Sequence, residues 1–137
     1  MLRKNAKIEL LRKVPLFSEC SKAQLAEIAL VADEIDLPAG KTLISEGRSG
    51  REFIVVIEGS VDVMRGGKKL PVTGGASFFG EISLVTDAPT TATVVTTSPV
   101  RALVITPRAF KRLLTESPGI QGKVLSAMAA RLAATAQ

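Results

Sequence analysis

The residues best suited to chemistry lie in one stretch, Phe78–Val94, which reads FFGEISLVTDAPTTATV. Gly74-Gly75-Ala76-Ser77 leads into it, two phenylalanines follow, and then comes Gly80-Glu81-Ile82-Ser83-Leu84. This order predicts a short apolar turn of helix that starts at Gly80. Such a turn leaves its first backbone N–H groups unpaired. Together with the partial positive charge of a helix N-terminus, they make a site for a small anion. Glu81 falls in that first turn, where its carboxylate can accept hydrogen bonds from a hydroxylated ligand. A sugar-phosphate uses both groups at once.

Each of these residues also has a plain structural reading. Gly80 is the residue that a tight strand-to-helix turn requires. A carboxylate at Glu81 is favoured by the helix dipole whether or not a ligand binds. Ser83 can donate to a phosphate oxygen or simply permit close packing. Thr90 and Thr91 offer hydroxyl donors to an anion, but threonines next to a run such as TATVVTT also serve β-propensity.

Phe79-Gly80-Glu81-Ile82-Ser83-Leu84, with Pro89 and Ala92-Thr93-Val94, resembles the phosphate-binding cassette of cyclic nucleotide-binding domains. The resemblance extends from about Val14 to the C-terminus. Val14-Pro15-Leu16-Phe17 is similar to the family's entry segment. Pro38-Ala39-Gly40, Ile44, Gly47, Phe53-Ile54-Val55-Val56 and Glu58-Gly59 match its barrel landmarks in order and spacing. The resemblance implies a cyclic nucleotide, cAMP or cGMP, as ligand. It implies Phe79, Gly80, Glu81, Ile82, Ser83, Thr90 and Thr91 as the binding residues, with Glu81 on the ribose hydroxyl.

One position departs from the family's pattern. An arginine directly after the cassette proline pairs with the cyclic phosphate, and here Pro89 is followed by Thr90. A charge-assisted contact of that kind contributes roughly 1.5–3 kcal/mol over a neutral alternative. Binding is therefore expected to be weak, by roughly ten- to more than a hundredfold. Arg48, Arg51 and Arg101 are the candidate replacements for the missing cation.

Composition narrows the remaining classes. At 137 residues, with 46% apolar and 23% charged, the chain has the make-up of a single globular domain with a modest core. It contains no histidine, which removes the usual general base, metal ligand and pH switch together. A cupin-like metalloenzyme on a similar barrel is excluded on that ground, and no catalytic or metal-binding residue is expected. The single Cys20 reads as a buried, inert thiol in a reducing compartment. The net charge of +5 is scattered, without tyrosine or tryptophan to stack on bases. We therefore expect solvated helix faces and no nucleic-acid groove. No apolar run approaches the roughly 18 residues of a membrane span, and the basic N-terminus lacks the apolar segment of a signal peptide. A cytoplasmic protein is expected.

Positioning the cassette requires a frame, and the rest of the sequence supplies one. Residues 2–13 predict a helix whose Leu2, Ala6, Leu10 and Val14 share a face. Val14-Pro15 ends it, because valine before proline is pushed out of the helical region. Ser21 with Gln24 forms a capping box for a second helix, with Leu25, Ile28, Ala29 and Ala32 as its stripe. From Glu34 the period changes to two. Strands are predicted at 41–45, 52–57, 61–64, 68–72, 91–97 and 100–105, punctuated by Pro38-Ala39-Gly40, Glu58-Gly59-Ser60 and Gly66-Gly67. Thr106-Pro107 opens a further helix, and Pro118 separates it from a last one at Ile120–Ala134. There Val124, Leu125, Met128 and Leu132 read as one apolar stripe.

The fold expected is mainly β with flanking helices: an antiparallel β-roll of the double-stranded β-helix or jelly-roll type. It forms one domain over residues 1–137. N-terminal helices occupy 1–33, the β-roll with its cassette at 78–94 occupies 34–105, and C-terminal helices occupy 106–137. The function expected is a regulatory module, not an enzyme, that binds cAMP or cGMP and signals through its C-terminal helices. The alternative is a degenerate module that no longer senses nucleotide and acts through protein contacts. A homodimer or an effector protein meeting residues 120–134 is the partner expected.

Overall fold

The computed structural model describes residues 3–47, 52–73, 77–80 and 89–135. Strands occupy the middle of the chain: β1 (Asp33–Leu37), β2 (Thr42–Ile44), β3 (Phe53–Glu58), β4 (Ser60–Arg65), β5 (Lys68–Thr73), β6 (Ser77–Phe79), β7 (Thr93–Thr96) and β8 (Val100–Ile105). They pair antiparallel in two four-stranded sheets, one in the order β1-β8-β3-β6 and the other β2-β7-β4-β5. The expected antiparallel roll is therefore what the chain forms.

The two sheets share one apolar filling. Ile54 and Val56 of β3 and Val100 and Ala102 of β8 come from the first sheet, and Ile44, Val61 and Val94 from the second. The alternation is the ordinary period of two, in which every second side chain faces inward. β3 breaks that alternation, for Phe53, Ile54, Val55 and Val56 are all buried. Its continuous β-branched run is the signature of a strand covered on both faces.

Turns are set by the glycines the sequence singles out. Gly66 and Gly67 both have positive φ (56° and 82°) and join Arg65 to Lys68, which pair across the hairpin. That is the arrangement a two-residue turn demands of its central positions. Pro71 sits in β5, an edge strand, where its missing N–H costs nothing in the ladder. The Pro38-Ala39-Gly40 turn is pinned from β7. Thr96 is only 1% exposed, and its hydroxyl donates to the Pro38 carbonyl at 2.8 Å while accepting from the Lys41 N–H at 2.8 Å. β-propensity alone does not account for this threonine.

The helical segments form a second unit, Met1–Ala32 with Arg108–Gln137. α1 spans Lys4–Arg12, a 3-10 turn spans Pro15–Phe17, and α2 spans Lys22–Leu30. Ser21 and Gln24 form the expected capping box at 3.2 and 2.8 Å. α3 (Pro107–Glu116) begins on its proline, as expected, and α4 runs Pro118–Thr135. Phe17 and Phe110 stack at 5.7 Å between ring centroids. Ser117 and Ser126 donate to Glu27 and Glu19, at 2.8 and 2.9 Å, tying α4 and its approach to α2 and the 3-10 turn region. Cys20 is buried, and that burial raises its thiol pKa, so the neutral thiol persists at physiological pH.

Three expectations need correction. In α1 the buried side chains are Ile8 and Leu11, with Val14 just beyond, while Ala6 and Leu10 are half-buried and Leu2 lies outside the described residues. Packing chose a face about one residue removed from the one the spacing suggested. In α4, Val124 is buried with Ile120 and Ala127, but Leu125 is 59% exposed and Met128 is half-buried. Val124 and Leu125 stand about 100° apart on the helix, and packing covers the edge that Val124 shares with Ile120 and Ala127 while leaving Leu125 outside it. Finally, Ser77–Phe79 forms a strand, β6, which the glycine-rich approach had concealed.

Candidate functional site

Gly80 follows directly on β6, whose Phe78 and Phe79 pair with Val55 and Ile54 of β3. This pairing fixes where the cassette leaves the barrel, and Phe79 packs against the shared core. Gly80 has φ +82°, and a Cβ placed there would lie 2.8 Å from the Glu52 carbonyl oxygen. Only glycine meets both conditions without strain. The same position is 3.6 Å from Ile44 Cδ1, at the end of β2.

The far end of the cassette returns to that same strand end. Thr90 donates its hydroxyl to the Ser45 carbonyl, and its own carbonyl accepts from the Gly47 N–H at 2.8 Å. Thr93 Oγ1 accepts from the Glu46 N–H at 2.9 Å. Residues 44–47 therefore hold Gly80 on one side and Thr90–Thr93 on the other. The end of β2 and residues 45–47 thus stand between the two ends of the cassette.

A third segment joins at this corner. The Gly66 N–H, at the tip of the β4–β5 hairpin, donates to Glu46 Oε1 at 3.4 Å. Arg65, the last residue of β4, donates to Thr91 Oγ1 at 3.3 Å. Sequence reasoning passed over Arg65 altogether. The signal was available in the alternation of β4, where Val61, Val63 and Arg65 fall on one face.

Phe79, Gly80, Thr90 and Thr91 are thus gathered at one end of the barrel. Glu81, Ile82 and Ser83 lie outside the described residues, as do Arg48 and Arg51. Arg101, the third cation considered as a replacement, is engaged elsewhere. On β8 its guanidinium contacts Asp36 at 3.1 Å, Glu58 at 3.6 Å and Glu34 at 3.7 Å. The hydrogen bond to Asp36, helped by the nearby carboxylates, raises its pKa further above the ordinary guanidinium value. That network holds β1, β8 and the end of β3 in line. Thr90, considered as a hydroxyl donor to an anion, gives its proton to the chain itself.

Among the described residues no helix is long and apolar enough to cross a membrane. No group of three acidic, cysteine or histidine side chains among them could hold a metal ion.

Comparison with known proteins agrees with this geometry. The family model for the cyclic nucleotide-binding domain matches residues 34–117. The chain is 36% identical over 106 residues to a cAMP-dependent protein kinase regulatory subunit of Aspergillus niger, covering 76% of this chain and 26% of that protein. It is 27% identical over 132 residues to a CRP-like cAMP-activated global transcriptional regulator of Mycobacterium tuberculosis, covering 93% of this chain and 59% of the regulator. The crystal structure of the N-terminal domain of a transcriptional regulator from Streptomyces coelicolor superposes with a TM-score of 0.79 at 32% identity. It covers 92% of this chain and 94% of that one. The chain thus spans about a quarter of the fungal subunit, 26%, and 59% of the mycobacterial regulator.

Proposed function

The chain belongs to the cyclic nucleotide-binding domain family, and from that premise we propose that it is a regulatory module, not an enzyme, which takes up cAMP or cGMP in its 78–94 stretch. The observation that carries this reading is the junction at residues 44–47, which has Gly80 on one side and Thr90–Thr93 bonded to it on the other. A ligand lodged there meets both ends of the cassette at once. Phe79, Gly80, Glu81, Ile82, Ser83, Thr90 and Thr91 are the binding residues in this reading, with Glu81 on the ribose hydroxyl. Two of the relatives are named for cAMP, which favours that nucleotide over cGMP.

Output in this reading passes through α4. Leu125 of α4 is 59% exposed. A second copy or an effector protein meeting residues 120–134 gives that side chain a partner. A second reading, a module that no longer senses nucleotide and acts only through such contacts, is favoured by one observation. The stretch 78–94 contains no lysine or arginine, and Thr90 stands where the family's pattern has its arginine.

Calorimetric titration with cAMP and cGMP separates the two. We expect saturable binding of at least one nucleotide, and a loss of about tenfold or more in Glu81→Ala, since a hydrogen bond to a charged group contributes about 1.5–3 kcal/mol. The thermal midpoint of that variant should stay at the parent value. No saturable heat from either nucleotide at millimolar concentration returns the chain to the contact-only reading. A fall in midpoint with unchanged affinity assigns Glu81 to the fold instead.

A further inference from the structure

A cyclic phosphate carries a full negative charge, and an anion leaving water needs charged or strongly polar donors to replace its hydration. The stretch 78–94 supplies none with a positive charge; its ionisable residues are Glu81 and Asp87, both acidic. Any cation at this site must therefore come from another part of the chain.

The register of the second sheet points to one. Val61 of β4 pairs with Thr96 of β7 and Val63 with Val94, and Val61 and Val94 lie in the core between the sheets, with Val63 packed against it. The β4–β7 pairs end at Met64 with Thr93, and Arg65 is the next residue of β4. Alternation gives it the side of Val61 and Val63, and at the strand's end it is exposed. Its guanidinium turns toward the cassette and meets Thr91 Oγ1 at 3.3 Å, two residues past Pro89. Among the described residues it has no carboxylate partner. Lys69, on the same hairpin, is instead committed to Asp62 at 3.2 Å.

We propose that Arg65 is the cation for the phosphate of the bound nucleotide, delivered from β4 in place of an arginine within the cassette. A guanidinium held by one neutral hydroxyl keeps most of its donors available for two phosphate oxygens. Thr91 then sets the direction of the guanidinium and Thr90 anchors the backbone to Ser45. This inference rests on the cyclic nucleotide reading and names the group that makes it workable.

The test uses the full chain with two probes, cAMP and adenosine, which differ in the cyclic phosphate. Arg65→Gln should weaken cAMP at least tenfold and leave adenosine within about twofold, because only the charged contact is lost. Lys69→Gln, on the same hairpin, should leave both unchanged. Thr90→Arg placed in the Arg65→Gln background should recover most of the lost cAMP affinity. Arg65→Gln binding cAMP as tightly as the parent overturns the proposal and leaves the nucleotide reading standing. Equal loss of cAMP and adenosine also overturns it, since Arg65 would then shape the corner without contacting phosphate. No cAMP binding by the parent overturns both.

Discussion

Gly80→Ala should lower the stability of the barrel by roughly 2–5 kcal/mol. A non-glycine residue in the left-handed region costs about 1–2 kcal/mol, and forcing an atom into a filled space adds about 1–3 kcal/mol. Gly80 incurs both, at φ +82° with the Glu52 carbonyl 2.8 Å from where the methyl would sit. The obstructing atom is backbone, so no side chain can rotate away. Gly59→Ala is a matched case far from the cassette: φ is +108°, and the Pro99 carbonyl would be 2.6 Å away. Gly40→Ala, at φ +84° with nothing within 4 Å, should show only the conformational part. Denaturant midpoints for the three variants check the order. A Gly80→Ala loss no larger than that of Gly40→Ala would mean the cassette leaves the barrel by another route.

Phe110→Ala should be the most damaging single truncation in the helical unit, at about 3–5 kcal/mol. Phe110 is fully buried and packs on Phe17 at 5.7 Å, so its removal opens a cavity and also forfeits an aromatic pair. Thermal melts should show a fall of about 10 °C or more for a domain of this size. Phe110→Leu, which keeps most of the volume, should cost less than about half as much. A loss below about 1 kcal/mol in Phe110→Ala contradicts the packing described for this helix.

The features legible in the sequence are those that local chemistry decides. Ser21 with Gln24, Pro107 at a helix start, the Gly66-Gly67 turn and the β-branched run expected at 52–57, which forms β3, each carry their reason within a few residues. All are found as expected. The cassette was legible as a pattern for the same reason. What escaped depends on partners distant in the chain. β6 is a strand because β3 is there to pair with it, and nothing inside Gly74–Ser77 announces that. Thr96 is buried because Pro38 and Lys41, 58 and 55 residues away, present their polar groups to it.

Thr90 and Arg65 show the same limit at the site itself. A threonine reads as a free donor until the end of β2 is placed beside it. Arg65 reads as a hairpin charge until its contact with Thr91 sets it beside the end of the cassette. The stripe assigned to α4 was too wide, since packing centres the buried face on Ile120, Val124 and Ala127 and leaves Leu125, about 100° away, exposed. Leu125 and Val124 were thus given one role where packing gives them two.

Hydrogen exchange of the full chain, with and without saturating cAMP, tests the central claim most directly, because it reports where the nucleotide acts as well as whether it binds. The account predicts slowed exchange at Phe78–Gly80, at Thr90–Thr93 and at the β4–β5 hairpin around Arg65. It predicts a further change within α4, Pro118–Thr135, as the output element responds. Identical exchange in these segments at a cAMP concentration that saturates a control binding protein would contradict it.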